Sequence, residues 1–154
     1  MSITLRLMDP AARDDLLARI DDEFVASVVA NGGDEGSARQ SASAARTRAF
    51  PDDGSDSGHR IFVIVDGEDP AGHVWIGPYV ADSTSMWWVW SIDVDEAARG
   101  RGLGREAMVR AEIYAREHGA TRIGLNVMGN NASARGLYAS LGYDIVSIGM
   151  SKGL

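Results

Sequence analysis

The stretch from residue 86 to residue 127 constrains the fold of this chain more than any other, because its pattern changes twice. "MWWVWSIDV" (86–94) is typical of a buried strand, apolar residues then recur at helical spacing from Leu103 until Gly119, and "TRIGLNV" (121–127) is a second strand candidate. A strand, a helix and a strand in this order predict a crossover connection, which makes the two strands parallel.

The rest of the chain predicts antiparallel strands and three further helices. Short turns join the strand candidates 60–65, 72–80 and 86–94, which is typical of a meander. Further strand candidates lie at 3–7 and 143–150, and further helix candidates at 10–30, 37–49 and 131–141. We therefore predict a single domain over residues 1–154, of the α/β (α+β) class, with a mixed, mostly antiparallel central sheet of six or seven strands and about four helices.

Composition excludes several classes of function. The formal net charge is −7, whereas a protein that binds nucleic acid generally needs a basic surface. The chain has no cysteine, which excludes disulfides, thiolate metal sites and a cysteine nucleophile, and its three histidines lack metal-ligand spacing. No segment resembles a signal peptide or a membrane span. We expect a cytoplasmic protein with no metal site and no membrane or nucleic-acid partner.

The connection between the first parallel strand and its helix predicts an anion site. We call Arg99–Arg105, "RGRGLGR", the glycine turn. The first N–H groups of a helix lack intrahelical partners and carry partial positive charge, and glycines let an anion approach them closely. Neither the Walker pattern nor the dinucleotide pattern fits, since no lysine follows and Arg105 replaces the third glycine. A tight turn with solvated arginines is the alternative.

Two motifs resemble the signatures of the GNAT superfamily of acyl-CoA-dependent N-acyltransferases. The pattern Q/R-x-x-G-x-G/A is matched by Arg99, Gly102 and Gly104, and N-x-x-A-x-x-L-Y followed by leucine-glycine-aromatic is matched by Asn131, Ala134, Leu137, Tyr138, Leu141, Gly142 and Tyr143. The two motifs occur in the family's order, with a strand between them. The resemblance implies that the mixed sheet has the GNAT-type fold.

The resemblance also implies how acetyl-CoA is held. Backbone amides of the glycine turn would bind the pyrophosphate, and the pantetheine arm would pair like an added strand in a gap between Ile92–Val94 and Leu125–Val127. The residues so implied for contact with the acyl donor are Ile92, Val94, Arg99, Gly100, Arg101, Gly102, Leu103, Gly104, Arg105, Asn131, Ala134 and Tyr138.

The implied reaction is direct transfer of the acetyl group to a primary amine, which raises two proton problems. An alkyl amine has a pKa near ~10.4 and must lose a proton before it attacks. Tyr138 lies where the family's general acid protonates the departing thiolate. The base is less clear, because Trp88 stands where some relatives have a glutamate on the strand; Asp93 is the nearest carboxylate, and Asp22, Glu23 or an ordered water chain are alternatives.

The acceptor side of the site is open at this point. Trp87, Trp88 and Trp90 either pack in the core or cover the acceptor amine by cation–π contact. The acceptor is a small molecule or a peptide, and the resemblance allows a homodimer without demanding one. The alternative function is a non-catalytic acyl-CoA-binding or regulatory module on the same fold.

Overall fold

One five-stranded sheet, in the order β1-β2-β3-β4-β5, organises the computed structural model, which describes residues 3–154. The strands are β1 (Ile3–Leu7), β2 (Arg60–Asp66), β3 (Asp69–Pro78), β4 (Met86–Val94) and β5 (Arg122–Leu125). β1 to β4 pair antiparallel, whereas β4 and β5 pair parallel. The meander and the crossover expected from the sequence are confirmed.

Four helices surround the sheet, namely α1 (Pro10–Ala30), α2 (Glu35–Ala49), α3 (Leu103–Glu117) and α4 (Ala132–Ser140). A short 3-10 turn, Glu96–Ala98, precedes the glycine turn. The helix predicted over 37–49 begins two residues earlier because the Asp34 carboxylate accepts a hydrogen bond from the Ser37 N–H and caps it. None of the helices described for residues 3–154 has the length and apolar character of a membrane span.

The sheet separates two apolar layers because its side chains alternate between its faces. On one face Val74, Ile76, Trp87 and Val89 pack against α3. On the other face Ile61 and Trp75 pack against α1 and α2. We call these the α3 face and the α1/α2 face.

β4 carries two irregularities that matter for the site. Trp75 of β3 pairs with Ser91 and Ile76 pairs with Val89, so that Trp90 is the extra residue of a β-bulge. Pairing with β5 runs only from Met86 to Val89, although β4 continues to Val94. The two parallel strands are therefore joined at one end only, and beyond Val89 the edge of β4 has no β5 partner among the described residues.

The expected count of six or seven strands is wrong, because the sheet described for residues 3–154 has five. The segment 143–150 was the sixth candidate, and it forms no strand. Ile145, Val146, Ile148 and Met150 in this segment are exposed. A strand needs a neighbour for its backbone N–H and C=O groups, and an apolar pattern in the sequence does not supply one. The predicted strand 121–127 is likewise shorter, ending at Leu125.

Candidate functional site

The glycine turn connects the end of β4 to α3 through two backbone positions that favour glycine. Gly100 has φ 76° and Gly102 has φ 78°, both in the left-handed region that a side chain disfavours. Gly102 is the N-cap residue of α3, so the chain reverses direction there and enters the helix within one residue.

The N-terminus of α3 differs from those of the other three helices. Asp9, Asp34 and Asn131 cap α1, α2 and α4 by accepting hydrogen bonds from backbone N–H groups of the first turn. No side chain caps α3. The first N–H groups of α3 therefore remain available, and the partial positive charge of the helix end stays uncompensated by a capping side chain. This arrangement favours an anionic ligand over a neutral one.

Gly104 leaves space beside that helix end. A Cβ atom built on Gly104 would lie 3.6 Å from a methyl of Leu137 on α4 and 3.7 Å from a methyl of Val94 on β4. The glycine thus faces the region between the unpaired end of β4 and α4. A ligand bound at the first turn of α3 can enter the gap there without meeting a side chain at this position.

The three arginines of the turn are held by separate neighbours. Arg99 donates to the Val94 carbonyl at 2.8 Å and to the Asp93 carboxylate at 3.3 Å. Arg101 is paired with Asp66 of β2, and Arg105 donates to the hydroxyl of Ser140 on α4. These side chains fasten the turn to β4, β2 and α4, so the backbone amides and not the guanidiniums are the groups left without protein partners.

The gap between β4 and β5 presents main chain. Ile92 and Val94 are partly buried, and their side chains pack against the cores on the α3 face. Their backbone edges toward β5 fall beyond the last paired residues, Val89 and Leu125. The geometry therefore leaves room for an extended group that pairs along this edge.

α4 lies on the far side of this gap and carries the second motif. The Asn131 side chain accepts a hydrogen bond from the Ala134 N–H at 3.1 Å, so both residues serve as the cap of α4. Tyr138 packs against the core on the α3 face, with its ring 5.9 Å from that of Tyr143. Burial raises the pKa of the Tyr138 hydroxyl above its ordinary value of 10.0, which keeps it protonated near neutral pH.

Asp93 and His73 form a cross-strand pair on the α1/α2 face. The Asp93 side chain is 60% exposed and is paired with Arg99. His73 is half-buried, and its Nε2 lies 2.8 Å from the hydroxyl of Ser91, the residue that follows the bulge. Burial lowers the pKa of His73, Arg19 lowers it further, and the carboxylates of Asp93, Asp95 and Glu23 act in the opposite direction.

Aromatic side chains gather on the α1/α2 face around the bulge. We call the five residues His59, Trp75, Tyr79, Trp88 and Trp90 the aromatic cluster. The rings of His59, Trp75, Tyr79 and Trp88 have centroids between 5.6 and 6.5 Å from that of Trp90. The indole N–H of Trp75 donates to His59 Nδ1 at 3.1 Å.

Four members of the cluster, namely His59, Trp75, Tyr79 and Trp90, line one wall of a cavity of about 630 Å³, which the loops before β2 and before β4 complete. This cavity lies at the end of the sheet where β4 begins, opposite the glycine turn. Sequence reasoning singled out the tryptophans but missed Tyr79 and His59 as members of the same cluster. The signal that could have found them is the pairing of β3 with β4, which brings alternate aromatic residues of two strands to one face.

Among residues 3–154, no group of three or more His, Asp or Glu side chains is arranged to hold a metal ion. The residues described above offer backbone amides, an aromatic wall, a partly buried tyrosine and a neutral histidine.

Comparison with known proteins agrees with this geometry. The model of the "Acetyltransferase (GNAT) family" matches residues 34–143, well over half of the chain. The uncharacterised N-acetyltransferase YdgE of Bacillus subtilis is 32% identical over 103 residues, covering 66% of each protein. Streptothricin acetyltransferase of Streptomyces lavendulae is 34% identical over 111 residues, covering 62% of this chain and 56% of that protein.

Solved structures show the same fold. The crystal structure of YycN from Bacillus subtilis, an uncharacterised N-acetyltransferase, matches with a TM-score of 0.81 at 22% identity, covering 99% of both chains. The chain spans about two thirds of the length of YdgE and about half that of streptothricin acetyltransferase, and its five-stranded sheet has the fold of the YycN structure. The chain belongs to the GNAT family of acetyltransferases.

Proposed function

We propose that this protein transfers an acetyl group from acetyl-CoA to a primary amine. The observation that carries the proposal is the uncapped N-terminus of α3, which opens onto the unpaired edge of β4. An anion at the helix end and an extended arm along the strand edge are what coenzyme A presents, and GNAT enzymes generally use this donor. The relatives' names support acetyl transfer, and the identity of the acceptor is addressed below.

The position of the pyrophosphate and the course of the pantetheine arm together indicate where the thioester lies. With the pyrophosphate at Leu103–Arg105, the arm runs along β4 from Val94 toward the closed end of the gap at Val89. The thioester then lies beside the bulge at Trp90. The acceptor approaches from the cavity at the end of the sheet, which Trp90 also lines.

The chemistry at that point is the exchange of one bond for another. The ammonium loses one proton before attack, the amine nitrogen forms a bond to the acetyl carbon, and the carbon–sulfur bond breaks with its electrons moving to sulfur. The attacking nitrogen gives up a second proton to solvent as the amide forms. The partly buried Tyr138 hydroxyl donates its proton to the thiolate and recovers one from solvent. Because a thiolate leaves fairly well unaided, the tyrosine accelerates the step without being indispensable.

Two side chains on the α1/α2 face can receive the proton of the acceptor ammonium. Asp93, the nearest carboxylate, is exposed and tied to Arg99 at the glycine turn. His73 reaches the bulge through its 2.8 Å contact with Ser91 and is kept neutral by burial. A neutral imidazole with a free electron pair is a competent base near neutral pH. We therefore favour His73, acting through Ser91 or a water, over Asp93.

The test is a measurement of free thiol released from acetyl-CoA across a panel of primary amines. Tyr138→Phe is expected to lower kcat by about 10- to 100-fold, at or below the low end of general acid catalysis, with KM for acetyl-CoA unchanged. His73→Gln is expected to shift the acidic part of the pH–rate profile, because the imidazole must be unprotonated to act as the base, whereas Asp93→Asn leaves the shape of the profile unchanged.

Several outcomes would contradict the proposal. Tight binding of acetyl-CoA with no thiol release for any amine would indicate a non-catalytic acyl-CoA-binding module. An unchanged kcat in Tyr138→Phe would remove the tyrosine from the reaction. A pH profile altered by Asp93→Asn and not by His73→Gln would identify Asp93, and not His73, as the general base.

A further inference from the structure

The aromatic cluster has a composition that the packing of the sheet does not explain. Trp90 is 38% exposed and Tyr79 is 50% exposed, although both are large side chains beside a buried layer. Tyr79 lies 4.6 Å from Trp88 and is nearly parallel to the ring of Trp90, with 19° between their planes. Trp90 and Tyr79 therefore line the cavity instead of filling the core.

We propose that this cavity is a binding site for an organic ammonium ion, recognised by the faces of Trp90 and Tyr79. The inference rests on the proposed function for its biological role, in which the ammonium is the acceptor before it loses its proton. The electron-rich face of an indole or phenol ring attracts a cation within about 6 Å of its centroid, and tryptophan does so most strongly.

The cluster carries no positive charge that would repel such a ligand. The His59 Nδ1 accepts the Trp75 N–H, and burial, assisted by Arg60, lowers the pKa of His59 to about 4. His59 is therefore neutral at pH 7. Arg60 is bound at two points by the Asp56 carboxylate, at 2.9 and 2.8 Å.

The remaining charged residues of the wall are balanced. Arg48 and Asp82 line the cavity together with the paired Arg60 and Asp56, so formal charges of both signs are equal in number. The selectivity of the site for a cation must then come from the aromatic faces. The net charge of −7 on the whole chain adds a long-range attraction for cations that speeds encounter.

A contact of this kind already occurs within the chain, beside the cluster. The guanidinium of Arg13 lies 4.8 Å from the ring centroid of Phe50, and that ring is 5.7 Å from Trp75. Among the described residues, no lysine or arginine covers Trp88, Trp90 or Tyr79 in this way. The exposed parts of Trp90 and Tyr79 are therefore accessible to a cation supplied from outside.

Position links the site to the reaction. Trp90 is the bulged residue of β4, at the closed end of the gap that leads to the glycine turn. An ammonium held against Trp90 lies beside the thioester position proposed above.

The test uses matched cations and neutral molecules of the same shape, with binding followed by intrinsic fluorescence. All four tryptophans of the chain line the cavity or lie in the cluster. The probe pairs are choline with 3,3-dimethylbutan-1-ol, and n-butylammonium with 1-butanol. Each cation is expected to bind about 2- to 30-fold more tightly than its neutral partner.

Variants separate the aromatic faces from simple apolar contact. Trp90→Leu and Tyr79→Leu should abolish most of this preference, whereas Trp90→Phe and Tyr79→Phe should retain it in part. In the thiol-release assay, the leucine variants should raise KM for the amine and leave KM for acetyl-CoA unchanged. If Trp90→Leu fails to fold, the comparison of Tyr79→Leu with Tyr79→Phe tests the same point.

Each outcome separates this inference from the function it rests on. Equal binding of cation and neutral partner, or a preference that survives both leucine variants, would overturn the inference even if amines are acetylated. A cation preference that depends on Trp90, without any thiol release, would support the binding site and contradict the proposed reaction.

Discussion

His59 shows how a single side chain couples the site to the stability of the fold. It receives the Trp75 indole N–H, and a Cβ atom at Gly77 would lie only 2.6 Å from its ring. The imidazole therefore lies flat on β3 because residue 77 has no side chain. Its neutral form is the one that this environment stabilises, since a proton on Nδ1 would break the bond to Trp75.

This histidine predicts a loss of stability in weak acid. The pKa of His59 falls from 6.5 to about 4 on folding, so between these values the unfolded chain binds more protons than the native one. The stabilisation that neutral His59 gives to the folded state is complete above pH 6.5 and is lost as the pH falls toward 4. The urea midpoint of unfolding should therefore be lower at pH 5 than at pH 7.5.

The His59→Gln variant identifies the source of that loss. Its urea midpoint should depend less on pH over this interval than that of the original chain. If the urea midpoint of His59→Gln depends on pH as steeply as that of the original chain, the loss of stability comes from other groups. His73 is one such group, because burial lowers its pKa as well.

At the scale of elements, two glycines at the start of α3, Gly102 and Gly104, are required for different reasons. Gly102 has φ 78° and needs the absence of a Cβ for its backbone conformation, whereas Gly104 lies inside the helix, where a Cβ would make only ordinary contacts. The first glycine shapes the turn, and the second keeps clear the space between β4 and α4.

Alanine at these two positions should therefore give opposite results. Gly102→Ala is expected to cost about 1–2 kcal/mol of unfolding free energy, since alanine resists the left-handed region. Gly104→Ala is expected to fold at least as stably, because alanine favours helix, yet to weaken coenzyme A binding.

Denaturant unfolding and calorimetric titration with coenzyme A measure the two effects separately. Equal coenzyme A affinity in Gly104→Ala and the original chain would show that the ligand does not pass this residue.

Local patterns predicted the elements well where their own residues decide the structure. The crossover at 86–127 follows from the spacing of apolar residues within that segment. The strand at 143–150 was wrong because pairing depends on a neighbour elsewhere in the chain. The sequence did not predict the aromatic cluster for the same reason, because His59 and Trp90 come together only through the register of three strands.

At the scale of the whole molecule, the sheet has one weak join. Only four residue pairs connect β5 to β4, and α4, which follows β5, has no buried residue. The antiparallel strands and α1 to α3 contain the buried core. β5 and α4 lie along one edge and contribute only partly buried residues to it. A ligand spanning the glycine turn and the β4 edge would lie between these two parts and tie them together.

The account depends most on the claim that the amides at the start of α3 hold the pyrophosphate of the acyl donor. Amide chemical shifts of ¹⁵N-labelled protein, recorded while coenzyme A or pantetheine is added, test this directly, because pantetheine has the same arm without the pyrophosphate. We predict large shifts for Leu103, Gly104 and Arg105 with coenzyme A and small ones with pantetheine. Binding of coenzyme A that leaves these three amides unmoved would contradict the account.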